Sequence, residues 1–445
     1  MGQGVLTGDS PLSEAAMEQL FADAGLSRRD GRLLLEGVPL DTIADAVGTP
    51  AYVYNAEAIR RRYHALDGAL RALPHRICYA AKANSNLAVL RLLRDLGAGA
   101  DIVSGGELAR VLAAGFPPAR IVFSGVGKTD QELLAAIRSG IGHINVESLA
   151  ELERIGELAT EESRPVALGI RVNPDVTTAT HPYISTGKSG IKFGVPLDQV
   201  EEAARIIRDH PLLRLTALAM HLGSQLSDPE PFVQGIGRLT ELLEDVRQIG
   251  APDLSVIDVG GGLGIRYGDE PAMDPERYAA AVVPLLAPLG LTTYLEPGRF
   301  LVGSAGVLLT TVLYRKSSGG KAIAVVDAGM NDLVRPSHYQ AYHAFAELNA
   351  AGRPPERVDV VGPVCETGDF LALDRELPGL ARGDRLAVLG AGAYGFVMSS
   401  NYNTRPRAAE VMVEGGRFWT ARPRERVEDL FQSELPCPNP PPTES

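Results

Sequence analysis

The segment YAAKAN places Lys82 directly after the apolar run RICYAA (76–81), where a solvated lysine has little reason to stand. Burial disfavours a charged amine, so a lysine there is expected to have a lowered pKa and to be a usable Schiff-base nucleophile. The bland alternative is a side chain that snorkels to the surface. EPGR (296–299) sets Glu296 three residues before Arg299, either as working groups or as an exposed ion pair. His221 in MHLGSQ closes another apolar run, a position that suits a hydrogen-bonded core histidine as well as a catalyst. Gly260, Gly261 and Gly262 open GGGLG after VIDV, and such a run lets backbone N–H groups close on a phosphate or simply makes a tight turn. GVGKT (125–129) is not a P-loop, because the pattern needs glycine at 122, where Val122 stands.

Eight β-like runs can position these residues: 76–81, 100–104, 120–124, 143–147, 166–172, 216–222, 255–260 and 292–296. Amphipathic helical stretches such as ELARVLAAG and QELLAAIRSG follow nearly every one, which predicts parallel βα units. Eight such units fit a closed (β/α)8 TIM barrel, which leaves no edge strand, better than an open doubly wound sheet. In a barrel the loops at the C-terminal strand ends gather the active site, and here those ends carry Lys82, Asp101, Ser104, Ser124, Glu147, Arg171, Asn173, His221, Glu296 and Arg299. Asp101, Ser104 and Ser124 read equally well as helix caps. The glycine run follows strand seven, and the loops after strands seven and eight often form a barrel's phosphate site.

After Ser304 the pattern changes to denser strands, which predicts a second, mainly β-sheet domain, a sandwich or barrel, built from both chain ends. The expected division is an N-terminal extension (1–30), strands joining the β domain (31–54), the (β/α)8 barrel (55–304), the C-terminal β domain (305–435) and a disordered proline-rich tail (436–445). An amphipathic stretch near 15–24 reads as a short docking helix. A net charge of −12 argues against nucleic-acid or anionic-membrane partners, and the widely spaced Cys78, Cys365 and Cys437 suggest neither a metal cluster nor a disulfide framework. The opening MGQGVLTGDS lacks a signal-peptide pattern, Leu6 stands where a myristoylation signal wants Ser or Thr, and no apolar run is long enough to span a membrane. A cytoplasmic location is expected.

Taken in order, YAAKAN, ADIVSGGEL, INVES, RVNP, HPYISTG, KFG, MHLGSQ, DVGGGLGI, EPGR, NDLVRPSHYQAYH, GPVCETGDF and GAYGFVMSSNYN resemble the diaminopimelate decarboxylase family, of the alanine-racemase-like, fold type III class of pyridoxal-phosphate enzymes. The resemblance covers nearly the whole chain. It implies that Lys82 holds pyridoxal 5'-phosphate, that His221 stacks on its ring, and that Ser224 with Gly260–Gly262 takes its phosphate. It also implies that Glu296 faces the pyridine nitrogen, with Pro297, Gly298, Arg299 and Tyr394 against the cofactor, and that Arg299, Arg335, Tyr339, Glu366 and Tyr394 bind substrate. Cys365, Glu366 and Tyr394 look like a contribution to a partner subunit's site, so a homodimer is expected, with Cys365 as the implied proton donor and Lys82 or water as the alternatives. The implied reaction converts meso-2,6-diaminopimelate to L-lysine and CO2, the last step of lysine biosynthesis. The alternatives are a carboxynorspermidine or basic-amino-acid decarboxylase and a non-catalytic cofactor-binding homologue; an alanine racemase fits less well, since no racemase-like tyrosine motif is found.

Overall fold

The structure is a computed structural model that describes residues 12–176 and 192–435. The motif HPYISTG (181–187), the tail 436–445 and Cys437 lie outside the described residues. The eight expected strands are present as His75–Ala80, Gly99–Ile102, Ile121–Phe123, His143–Val146, Val166–Val172, Leu213–Met220, Val256–Asp258 and Thr292–Leu295. Each pairs in parallel with the next in sequence, and the last pairs with the first, Thr293 opposite His75. This closure rules out the open doubly wound sheet.

Local chemistry fixes the βα joints. Ser104 is a cap: its Oγ accepts from the Glu107 N–H at 3.2 Å and starts the helix Gly105–Ala113. GVGKT is used structurally. Thr129 and Glu132 form a capping box for the helix Asp130–Ser139. The buried Lys128 ammonium donates to Glu151 Oε1 and the carbonyls of Gly125 and Asn145 at 2.7–2.8 Å.

The second unit is one branched nine-stranded sheet. Its spine is Gly306–Ser318, which pairs antiparallel with Lys321–Val326, Arg385–Val388 and Ala51–Asn55. Ala51–Asn55 also pairs in parallel with Ala409–Glu414, so a strand from before the barrel sits between two from after it. Both chain ends therefore build this sheet. The helix Glu14–Ala24, capped by Ser13, buries Leu20 and Ala24 against Leu33, Leu35, Val53, Val307 and Val413 of the same unit. The hairpin of Leu26–Arg29 on Arg32–Leu35 turns at residues 30 and 31, where the sequence suggested a boundary. The strand Phe370–Pro378, with its charged centre LDRE, escaped the sequence reading; it lies at the sheet's edge, where Asp374 and Glu376 are exposed while Arg375 packs on Tyr342. Among the described residues no helix is long and apolar enough to cross a membrane.

Candidate active site

Lys82 stands in a single 3-10 turn, Ala81–Ala83, at the C-terminal end of the first barrel strand. Its Nζ donates to Asp101 Oδ2 at 2.8 Å. Asp101 is not a cap: it lies inside the second strand, fully buried, directly across from Ala80. Burial works to lower the Lys82 pKa, but its acidic neighbours, led by the Asp101 carboxylate bonded to Nζ, outweigh it and hold the amine above its ordinary value. The expected depression is thus reversed, because the neighbouring second strand sets a buried carboxylate beside the amine.

Glu296 ends the eighth strand and Asp258 the seventh, both buried. Burial, with the neighbouring Asp101 and Asp258 carboxylates, pushes Glu296 well above the usual carboxylate range. Its Oε1 has no hydrogen-bond partner among the described residues. Asp258 Oδ1 accepts from the Gly260 N–H at 2.8 Å, and the Gly260 carbonyl accepts from the Glu296 N–H at 2.8 Å, so the glycine loop and Glu296 move as one piece. A side chain at Gly261 would collide with the Glu296 carbonyl oxygen, and Gly262 has φ of 105°, a value L side chains rarely adopt. Close backbone approach and positive φ thus require glycine here, and the Gly260 and Gly261 N–H groups are taken by Asp258 and His221.

His221 Nδ1 accepts from the Gly261 N–H at 3.2 Å. Burial, then Arg171 and Lys82, lowers its pKa well below normal, so the ring is neutral with its proton on Nε2. Arg171 is itself bound, through Nη1 at 2.7 Å, to Glu147 Oε1, which also accepts from the Gly125 N–H; Glu147 Oε2 accepts from the Gly194 N–H. Glu147 therefore ties three loops of the barrel mouth together.

EPGR is not an exposed ion pair. Pro297 places its carbonyl on the Ala80 N–H, and Gly298 packs against Ala80 and Ala83, which carries Arg299 inward. Arg299 is buried and donates to Tyr267 Oη at 2.7 Å and to Ser224 Oγ at 3.1 Å. Arg335 and Tyr339 belong to one short helix of the β domain. Arg335 is buried with its guanidinium over the Tyr267 ring, 4.5 Å from the centroid.

Tyr394 lies over Arg299, 4.8 Å from guanidinium carbon to ring centroid, and its N–H donates to the Ala83 carbonyl at 2.8 Å. Tyr394 and Lys82 line one cavity of about 390 Å3. This corrects the grouping of Tyr394 with a partner's contribution: its backbone bond beside Lys82 places it in its own chain's site. Cys365 and Glu366 sit elsewhere, in an exposed loop where the Cys365 N–H donates to Asn403 Oδ1 and Glu366 is hydrogen-bonded to Tyr402. Tyr267, Asp258 and His343 were not picked out from the sequence. Asp258 left a signal as an acid ending an apolar strand, and His343 as the last residue of NDLVRPSHYQAYH.

A family profile described as "Pyridoxal-dependent decarboxylase, pyridoxal binding domain" matches residues 56–303. The diaminopimelate decarboxylase of Pseudomonas aeruginosa is 49% identical over 412 residues, covering 93% of this chain and 99% of that one. A crystal structure of diaminopimelate decarboxylase from Helicobacter pylori complexed with L-lysine is 40% identical, with TM-score 0.86, covering 89% of this chain and 99% of that one. The corresponding enzyme structure from M. jannaschii is 34% identical, with TM-score 0.89, covering 95% and 99%. With the lysine, the buried carboxyl and the glycine loop all at the mouth of a closed barrel, the chain belongs to the diaminopimelate decarboxylase family of pyridoxal-dependent decarboxylases.

Proposed function

We propose that this protein catalyses the pyridoxal-phosphate-dependent decarboxylation of meso-2,6-diaminopimelate to L-lysine and CO2, as a homodimer whose subunits share their active sites. The observation that carries the reading is the pair of buried guanidiniums, Arg299 and Arg335, both packed on Tyr267, with Arg299 also against Tyr394, which lines a cavity together with Lys82. Two arginines repel the cationic end of ornithine, lysine or arginine and attract a carboxylate. Diaminopimelate carries that carboxylate at its far end.

The residues present fit the cofactor. Lys82 offers the amine, the unpartnered Glu296 Oε1 offers a group for the pyridine nitrogen, and the phosphate is assigned to Ser224 and the Gly262 end of the glycine run, the Gly260 and Gly261 N–H groups being bonded to Asp258 and His221. Pyridoxal phosphate, when bound, supplies the electron sink that accepts the electrons left as CO2 departs. Burial and the acidic neighbours of Glu296 shift its carboxyl toward the protonated form. Neutral His221 presents a ring fixed by the Gly261 N–H. Arg299, Arg335 and Tyr339 hold the far carboxylate. Pro297 and Gly298 carry Arg299 into the pocket, and Tyr394 closes it beside Lys82. Cys365 of the partner subunit supplies the proton to Cα, and the partner's Glu366 takes the far ammonium; the exposure of this loop supports that assignment.

The test incubates purified protein and pyridoxal phosphate with meso-diaminopimelate and measures CO2 and lysine. Stoichiometric lysine is expected from the wild type and none from Lys82→Ala; cofactor binding without lysine would refute the substrate. Mixing inactive Lys82→Ala and Cys365→Ala chains should restore up to roughly a quarter of wild-type activity, since a symmetric dimer that shares sites regains one intact site per mixed dimer. No recovery in demonstrably mixed dimers would refute the sharing.

A further inference from the structure

Arg299 and Arg335 are held by groups that carry no charge. Among the described residues neither makes an ion pair with an aspartate or glutamate; their bonds go to Tyr267, Ser224 and His343. Tyr267, from the loop after the seventh barrel strand, lies between them. Its Oη accepts from Arg299 Nη1 at 2.7 Å, while its ring face takes Arg335 at 4.5 Å. The His343 ring meets the Tyr267 ring edge-on at 5.3 Å.

His343 is fixed in one tautomer by the β domain. Its Nδ1 lies 2.8 Å from the Leu389 carbonyl, which can only accept, so Nδ1 carries the proton. The lone pair on Nε2 then receives Arg335 Nη1 at 2.9 Å. Burial and Arg335 keep the ring's pKa well below normal, so it stays neutral across the working range. A carboxylate in either place would hold an arginine more strongly, and would also cancel the charge that the site needs for its ligand.

We propose that Tyr267 and His343 are specificity-determining positioning residues, which hold Arg299 and Arg335 side by side with their charges unspent so that the pair takes the substrate's far carboxylate. The inference rests on the decarboxylase reading above and names the groups that set its substrate choice. Barrel and β domain must meet to make this clamp, because Tyr267 and Arg299 come from one and Arg335, His343 and Leu389 from the other.

The experiment uses holoenzyme and two probes: L-lysine, which retains the far carboxylate, and 1,5-diaminopentane, which lacks it. Calorimetric binding and competitive inhibition are measured for wild type, Tyr267→Phe, His343→Leu and His343→Gln. Tyr267→Phe should weaken L-lysine about tenfold by removing one acceptor of a charged donor, with 1,5-diaminopentane unchanged. It should also raise KM for meso-diaminopimelate more than it lowers kcat. His343→Leu should do the same, and His343→Gln, whose amide oxygen can still accept from Arg335, should recover part of the loss. Unchanged L-lysine affinity in Tyr267→Phe, or equal weakening of both probes, would overturn the proposal; Tyr267→Phe keeps the test decisive if His343→Leu does not fold. A failure of the decarboxylase reading would show separately, as wild type that makes no lysine.

Discussion

Replacing Asp101 with asparagine tests the reversal found at Lys82. The substitution keeps an acceptor near Nζ and removes only the charge. For opposite charges 2.8 Å apart, an effective dielectric near 20 gives roughly 6 kcal/mol of attraction. Asp101 is fully buried, but the Lys82 side chain is 32% exposed, so solvent screens part of this. Taking about half, or about 3 kcal/mol, the Lys82 pKa should fall by roughly 2 units, and the free-amine fraction below that pKa should rise about a hundredfold. The assay mixes cofactor-stripped protein with pyridoxal phosphate across a pH series. Borohydride trapping and peptide mapping then report covalent attachment at Lys82. The wild-type rate should climb with pH into the alkaline range, and the Asp101→Asn profile should be displaced to lower pH. An unchanged apparent pKa, or a raised one, would refute the claim that Asp101 governs the charge of this lysine.

Two further outcomes follow from buried charges away from the reacting groups. Burial raises the Asp332 pKa to about 7, so the folded state holds this proton where the unfolded chain has lost it. Ionisation therefore subtracts stability as pH rises from about 4 through 7, by up to about 4 kcal/mol. Asp332→Asn, which can still accept from the Gly329 N–H, should gain in Tm over wild type progressively across that window; parallel pH curves would contradict this. Lys128→Met removes a buried ammonium from Glu151 and two carbonyls, and breaking such a pair should cost about 3–5 kcal/mol in chemical denaturation. A loss below 1 kcal/mol would mean the pair is not stabilising. ATP should not shift the wild-type Tm, since GVGKT is spent on a helix cap and this ion pair.

The sequence by itself determined the barrel and its polar mouth. Strand and helix periodicities are local, and each of the eight apolar runs carries its own β signal, so their count and order led to closure before any contact was known. Lys82, His221, Glu296 and the glycines were visible for the same reason: each directly ends an apolar run. The charge state of each group was decided only in three dimensions. Lys82 sits 19 residues from the carboxylate that reverses its expected pKa, and the two meet because neighbouring parallel strands end side by side. Arg299 turned from Glu296 to Tyr267 and Ser224 because the eighth strand delivers it into the barrel mouth rather than to water. His343 stood in the sequence only as the end of NDLVRPSHYQAYH, since its role depends on a carbonyl 46 residues away, just past another strand. Periodicity is a property of neighbours along the chain, whereas ionisation and hydrogen-bond pairing depend on through-space distance and burial, which only the packed barrel and sheet supply.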